Sequence, residues 1–222
     1  MAEDHVAAPS DQPSGQVAVP GALSSSEVSR PWDPLPLSVV ADLMARTERP
    51  WLIAGGHAID LFVGRTTREH ADIDVLLRRD QQAVHEVLPG WETFAADPPG
   101  QLRPWPAGEI LPDGVHDIWC RPDPGSPWQL QFMLDEAEGD LWVSRRNAQV
   151  RRPLGELRHT SASGFPYLAP EVQLFYKARG RRPKDEQDLD SALPLLSGEQ
   201  RDWLRAAIAR TAPDHPWLGR LP

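Results

Sequence analysis

Between Leu37 and Thr47 the apolar residues Val39, Val40, Leu43 and Met44 recur at helical spacing, and Pro50 stops the pattern, which predicts a first amphipathic helix. Trp51 to Ala54 is a short continuous apolar run ending at Gly55-Gly56, the pattern of a buried strand entering a tight turn, with a second helix from about His57 to Val63. Ile73, Val75, Leu76 and Leu77 predict the next strand. Asp80 is placed to cap a helix that carries Ala83, Val84, Val87 and Leu88 on one side. After a Pro/Gly-rich loop from Asp97 to Gly114, Val115–Cys120 and Trp128–Leu134 read as two strands, and the turn residues between them predict a hairpin.

The last third changes period. Pro170 opens a helix with Val172, Phe175 and Tyr176 on one face and Gly180 at its close. A further helix is expected over Lys184–Leu193, and Ser197 with Gln200 forms a capping box ahead of Trp203, Leu204, Ala207 and Ile208. Residues 1–33, rich in Ser, Pro, Ala, Gly and Asp without a sustained period, read as a flexible leader. The fold class that follows is α+β: a small mixed-sheet core with flanking helices over residues 34–150, then a helical part over residues 151–222 on the substrate and nucleotide side.

Composition narrows the classes of function. The 222 residues, 40% of them hydrophobic, suffice for one substantial domain. No apolar stretch approaches the roughly 20 residues that span a bilayer, and the acidic start with Glu3 and Asp4 lacks the form of a secretory signal, so a soluble, cytoplasmic protein is expected. Cys120 is the single cysteine, which excludes an intrachain disulfide and a thiolate zinc cluster. The net charge of −9 argues against broad nucleic-acid binding, which needs a basic face, and would suit a cationic small-molecule acceptor.

The chemistry concentrates in Gly55-Gly56-His57, then Arg65, Arg68 and His70, then Asp72-Ile73-Asp74. Residues two apart on a strand share a face, so Asp72 and Asp74 present their carboxylates together while Ile73 enters the core. Mg²⁺ prefers carboxylate and phosphate oxygens, and such ions can clamp an in-line phosphoryl displacement. The glycine pair leaves room where backbone approaches a phosphate at a helix start, and Arg65 and Arg68 are candidates to neutralise further phosphate charge. His57 is either a nucleotide contact or a polar helix-start residue; His70 either orients Asp72, touches phosphate or is an ordinary turn histidine. Arg145 and Arg146 are either an anion site or a solvated face.

The run from Gly55 through Val75 resembles the signature of the aminoglycoside and lincosamide nucleotidyltransferases, within the polymerase-beta-like superfamily; the dense part spans Trp51–Leu77. The resemblance implies that Gly55 and Gly56 hold the triphosphate, that Asp72 and Asp74 bind Mg²⁺, and that AMP from ATP is moved to a hydroxyl of a small molecule such as an aminoglycoside, releasing pyrophosphate. The stretch from Tyr167 to Leu189 is similar to the helical segment that follows the core in such enzymes, where Lys177 or Lys184 would contact nucleotide phosphates. Relatives usually carry a third carboxylate on the second hairpin strand, where this chain has Gln131. Asp117 on the neighbouring strand is the favoured substitute. Asp135, about 13 Å along the strand from Gln131, is the other. Two alternatives stay open: modification of protein or tRNA, and a non-catalytic nucleotide-binding or interaction module. Oligomeric state is not fixed by the sequence.

Overall fold

The computed structural model describes residues 21–79 and 82–221. A short helix α1 (Ser25–Val28) is followed by α2 (Leu37–Met44), β1 (Trp51–Ile53), α3 (Gly55–Val63), β2 (Asp74–Arg78) and α4 (Gln82–Val87). Five strands come next: β3 (Glu92–Ala96), β4 (Leu102–Pro104), β5 (Asp117–Arg121), β6 (Leu130–Glu138) and β7 (Leu141–Val143). Then β8 (Arg151–Pro153), β9 (Arg158–Thr160) and β10 (Pro166–Leu168) precede the helices α5 (Pro170–Ala178), α6 (Pro183–Ala192) and α7 (Gly198–Thr211). The expected mixed α/β class is the observed one.

The ten strands of the described residues join one mixed sheet in the order β4-β3-β5-β6-β2-β1-β10-β9, with β7 on the far part of β6 and β8 on β7. The β2–β6 and β1–β10 pairs are parallel and the remainder antiparallel, including the expected β5–β6 hairpin. Period-two alternation along β2 divides the core. Val75 and Leu77 join Val40, Met44, Val84 and Val87 on the side of α2 and α4, whereas Leu76 and Met133 join Val172, Phe175, Leu204 and Ile208 on the side of α5 and α7. Asp74, of the same parity as Leu76, therefore faces the C-terminal helices.

Helix boundaries follow local chemistry. Gly64 adopts a left-handed φ of 81° and its N–H donates to the Asp60 carbonyl, ending α3. Pro170 and Pro183 occupy the first turns of α5 and α6, and the Ser197–Gln200 capping box opens α7 as expected. Beyond α5 the left-handed residue is Arg181 (φ 47°) rather than the expected Gly180, a conformation that costs a side-chain-bearing residue about 1 kcal/mol. Among the described residues, no helix is long and apolar enough to cross a membrane.

Three expectations change, and a fourth falls on a residue that is not described. Residues 21–33, read as leader, are packed. The Leu23 N–H donates to Leu102 O, Asp33 N–H to Trp128 O and Trp128 N–H to Pro31 O, and Trp32 meets Trp119 edge-on at 5.0 Å between ring centroids. The loop expected over Asp97–Gly114 contains β4, which pairs with the unexpected β3. Three strands lie beyond residue 150, where only helix was expected, and β10 pairs with β1 in the central sheet. These strands are three residues long, too short to show a period. Asp80, expected to cap α4, lies outside the described residues.

The tryptophan cluster makes the N-terminal segment part of the folded body. Trp32→Ala is expected to lower unfolding free energy by about 2 kcal/mol, less than a fully buried tryptophan because Trp32 is half-buried. A urea melt with an unchanged midpoint would return residues 21–33 to the status of a leader.

Candidate active site

The double glycine works first within the protein. A Cβ on Gly55 would lie 2.0 Å from Asp74 Oδ2, and one on Gly56 would lie 2.2 Å from His70 Nδ1 and 2.5 Å from Arg68 Nη2. Gly55 also holds φ at 65°, where a side chain is strained. Its N–H donates to Gln173 Oε1 at 2.8 Å, so α5 reaches across 118 residues to fix the start of α3. These absent side chains let the Asp74 carboxylate and the Arg68 and His70 side chains close over the helix start.

Strand pairing holds the acidic residues in place. The Ala54 N–H donates to Asp74 O, and the Gln131 N–H donates to Ile73 O, so the entry to β2 is tied to both neighbouring strands. Asp74 pairs in register with Gln131 on β6, and Asp117 on β5 pairs with Met133, one face-sharing position along from Gln131. Gln131 Nε2 donates to Asp117 Oδ1 at 3.2 Å. Glutamine thus occupies the register of the expected third acid and holds Asp117 from it. Asp135 is engaged elsewhere: fully enclosed, it accepts from Tyr176 Oη at 2.6 Å and Trp142 Nε1 at 2.6 Å.

Asp74 keeps part of its surface exposed, yet the protein around it withdraws enough water to push its carboxyl up to about 7. After burial, the negative charge of Asp72 is the next cause, opposed by Lys177; Asp117 adds to the rise and Lys184 opposes it. Asp72, Asp74, Asp117, Lys177 and Lys184 therefore share one electrostatic neighbourhood.

Arg68 and Lys177 are strapped down by a carboxylate to which sequence reading gave no role. Asp188 on α6 is fully buried and accepts the Arg68 fork, Nε at 2.8 Å and Nη2 at 2.9 Å, together with Lys177 Nζ at 2.7 Å. Burial pushes Asp188 upward, but the Arg68 hydrogen bonds and the Lys177 ammonium outweigh it and hold it below the usual carboxylate range. His70 turns to Asp60 rather than to Asp72, with Nε2 2.6 Å from Oδ2, and Asp60 also accepts from the Thr67 N–H and hydroxyl, bracing the loop ahead of Asp72. His57 stacks on His70 at 4.3 Å, and burial, then the His70 charge, push it down to about 4, leaving it neutral at pH 7. Ligand atoms of His57, Asp60 and His70 lie within 4.8 Å of one another, a spacing compatible with a metal ion. The short Asp60–His70 hydrogen bond already satisfies two of them. Arg65 stands apart, exposed on the rim of a cleft of about 890 Å³ beside α3.

On the other side, Asp117 borders a cavity of about 820 Å³ together with Arg145, Arg146, Arg179 and Arg181. Arg146 is no solvated surface residue: its guanidinium donates to the carbonyls of Phe175, at 2.6 Å, and Tyr176 at the end of α5.

Residues 36–90 match the profile of the aminoglycoside-2''-adenylyltransferase family. No curated protein matches the chain. Among solved structures, the antibiotic-resistance factor ANT(2'')-Ia in solution shares 16% identity with a TM-score of 0.51, over 78% of this chain and 91% of that one. A crystal structure of ANT(2'')-Ia with adenylyl-2''-tobramycin shares 16% identity (TM-score 0.49; 79% and 98% covered), and one of lincosamide adenylyltransferase LnuA with lincomycin shares 14% (TM-score 0.49; 79% and 99%). The chain has the nucleotidyltransferase fold. Over residues 36–90 it also carries the sequence profile of the aminoglycoside nucleotidyltransferases, the resemblance expected from the Gly55–Val75 run.

Two outcomes test this construction. Gly55→Ala is expected to displace Asp74 and lower the melting temperature by at least about 3 °C; an unchanged melting temperature would remove the steric argument. The second concerns pH. A carboxyl bound more tightly to its proton in the native state stabilises the fold below its unfolded value and loses that contribution as pH rises through about 7. In metal-free protein, Asp74→Asn should therefore melt progressively higher than wild type as pH is raised from about 4 to about 8, by several degrees at the upper end. A flat difference across that range would contradict the burial of Asp74.

Proposed function

We propose that the protein is an Mg²⁺-dependent nucleotidyltransferase that moves a nucleoside monophosphate, AMP from ATP, to a hydroxyl of a small molecule. The observation that carries this reading is that Asp74 and Asp117 share one face of the sheet next to the Gly55–Gly56 helix start, with Asp72 two residues ahead of β2 and its charge acting on Asp74. The donor set fits a divalent cation: the carboxyl of Asp74 is pushed up to about 7 by burial and by its acidic neighbours, an accumulation that a cation relieves. Asp72 and Asp74 are its ligands in this reading. When bound, the ion supplies charge neutralisation at the reacting phosphate.

The chain's own residues do the rest. The start of α3 and the cations Lys184 and Arg68 favour the triphosphate at the Gly55 end, with Lys177 acting through its ion pair with Asp188. At the far end Asp117 is the base. It takes the acceptor's hydroxyl proton as the acceptor oxygen forms its bond to the α-phosphorus. The bond from that phosphorus to the bridging oxygen breaks, and its electron pair leaves with pyrophosphate. Gln131 has no basic group, but its amide orients Asp117, so a glutamine at the Asp74 register is compatible with turnover. The family profile suggests an antibiotic acceptor and supports ATP as donor.

Pyrophosphate release from ATP and Mg²⁺, measured with an acceptor panel, tests the assignment. Asp72→Asn and Asp74→Asn are each expected to reduce release by about 10³-fold or more, and Asp117→Asn by about 10²–10⁴-fold with nucleotide binding retained. Nucleotide binding without release across the panel would favour a non-catalytic module. Full activity in Asp117→Asn would remove Asp117 as the base.

A further inference from the structure

The sheet order lays the site out along a line. Gly55 follows β1, Asp74 opens β2, Gln131 lies on β6 and Asp117 on β5, in neighbouring positions. If the triphosphate lies at the Gly55 end, as the nucleotidyltransferase reading requires, the cavity beyond Asp117 lies on the acceptor's side. That cavity is bordered by four arginines from two segments, the half-buried Arg145 and Arg146 after β7 and the exposed Arg179 and Arg181 after α5. Asp117 is the only carboxylate among its lining residues.

The charge of this wall is offset only at a distance, by Asp135 acting on Arg145 and Arg146. Among the described residues, none of the four guanidinium groups forms an ion pair. Arg146 spends its donors on the carbonyls ending α5, and Arg145 lies over the Tyr176 ring at 5.2 Å, so both are held in place without being discharged. The strain of like charges is visible in Arg146, pushed down to about 10 by burial and then by Arg145. Arginine forks match the oxygens of phosphate and carboxylate groups, and several unpaired forks around one cavity attract an anion and repel a polycation.

We propose that this cavity is the acceptor pocket and that it takes an anionic hydroxyl compound, one bearing a phosphate or carboxylate group, which the arginines hold while its hydroxyl meets Asp117. The proposal rests on the nucleotidyltransferase reading for the placement of the nucleotide. It differs from that reading's aminoglycoside starting point in the charge of the acceptor. The anionic group is not consumed; the bonds made and broken are those of the transfer described above.

The test uses the full chain saturated with Mg²⁺ and a nonhydrolysable ATP analogue, titrated by calorimetry with glucose 6-phosphate, gluconate, glucose and kanamycin. The anions are expected to bind at least about tenfold more tightly than glucose, and the Arg145→Ala/Arg179→Ala double variant to lose that advantage while holding the ATP analogue within roughly twofold of wild type. Because that second measurement reads the folded nucleotide end, it separates pocket loss from misfolding. Tighter binding of kanamycin than of the anions, anions no better than glucose, or an anion preference that survives the double variant would each overturn the proposal. So would loss of the ATP analogue alone, since the arginines would then serve the triphosphate. Arginine-dependent anion binding without pyrophosphate release would support the anion site while sinking the transferase reading, and kanamycin adenylylation would do the reverse.

Discussion

A single buried carboxylate organises the site. Asp188 has no access to solvent and takes Arg68 from the loop between α3 and β2 and Lys177 from α5, so three separate segments meet at one anion. Removing a partner from such a buried cluster costs about 3–5 kcal/mol because the remaining charges are stranded, whereas an apolar replacement of the whole cluster often does not. The cluster therefore counts for placement more than for stability. It seats Arg68 over Gly56, which has no side chain to resist it, and with the Asp60–His70 hydrogen bond it fixes the loop that delivers Asp72 to the end of β2.

From that anchor the charges fall into two groups on either side of the acidic residues. On the Gly55 side, Arg68, Lys177 and Arg182 are paired with Asp188 and Asp185, which limits their freedom and partly offsets their charge. On the Asp117 side the arginines form no ion pair among the described residues. Asp74 between them has a carboxyl held near neutrality by burial and by Asp72, a state that a divalent cation would reverse. Hence the protein supplies a negative centre flanked by one ion-paired and one unpaired positive region.

How far this was legible in the sequence depended on the range of the interactions. The helices α2, α3, α5 and α7 carry period, proline or capping signals within their own residues, and the strands bearing Asp74 and Asp117 carry apolar runs bounded by turns, so these elements and the carboxylates could be placed. The favoured position of Asp117 relied on hairpin register, and the observed pairing brings it to Gln131. Gln173 gave no such signal, because its partner lies 118 residues away; Asp188 stood within the Tyr167–Leu189 stretch, but its pairing with Arg68, 120 residues away, was not legible. The strands β7 to β10 were hidden because three residues cannot display a period of two. Trp32 was hidden because its partners, Trp119 and Trp128, belong to a hairpin far along the chain.

The same distinction governs the charge argument. A net charge of −9 pointed toward a cationic acceptor, yet net charge describes the field far from the molecule. At physiological ionic strength exposed charges more than about 8 Å away are largely screened, so a ligand inside a cavity responds to the groups lining it. Arg145, Arg146, Arg179 and Arg181 line that cavity against one aspartate, so the charge lining it is opposite in sign to that of the whole. Gln131 fits this arrangement. A fourth carboxylate beside Asp72, Asp74 and Asp117 would add another like charge to a centre that already resists ionisation, whereas the amide donates to Asp117 and leaves it the one acid facing the arginines.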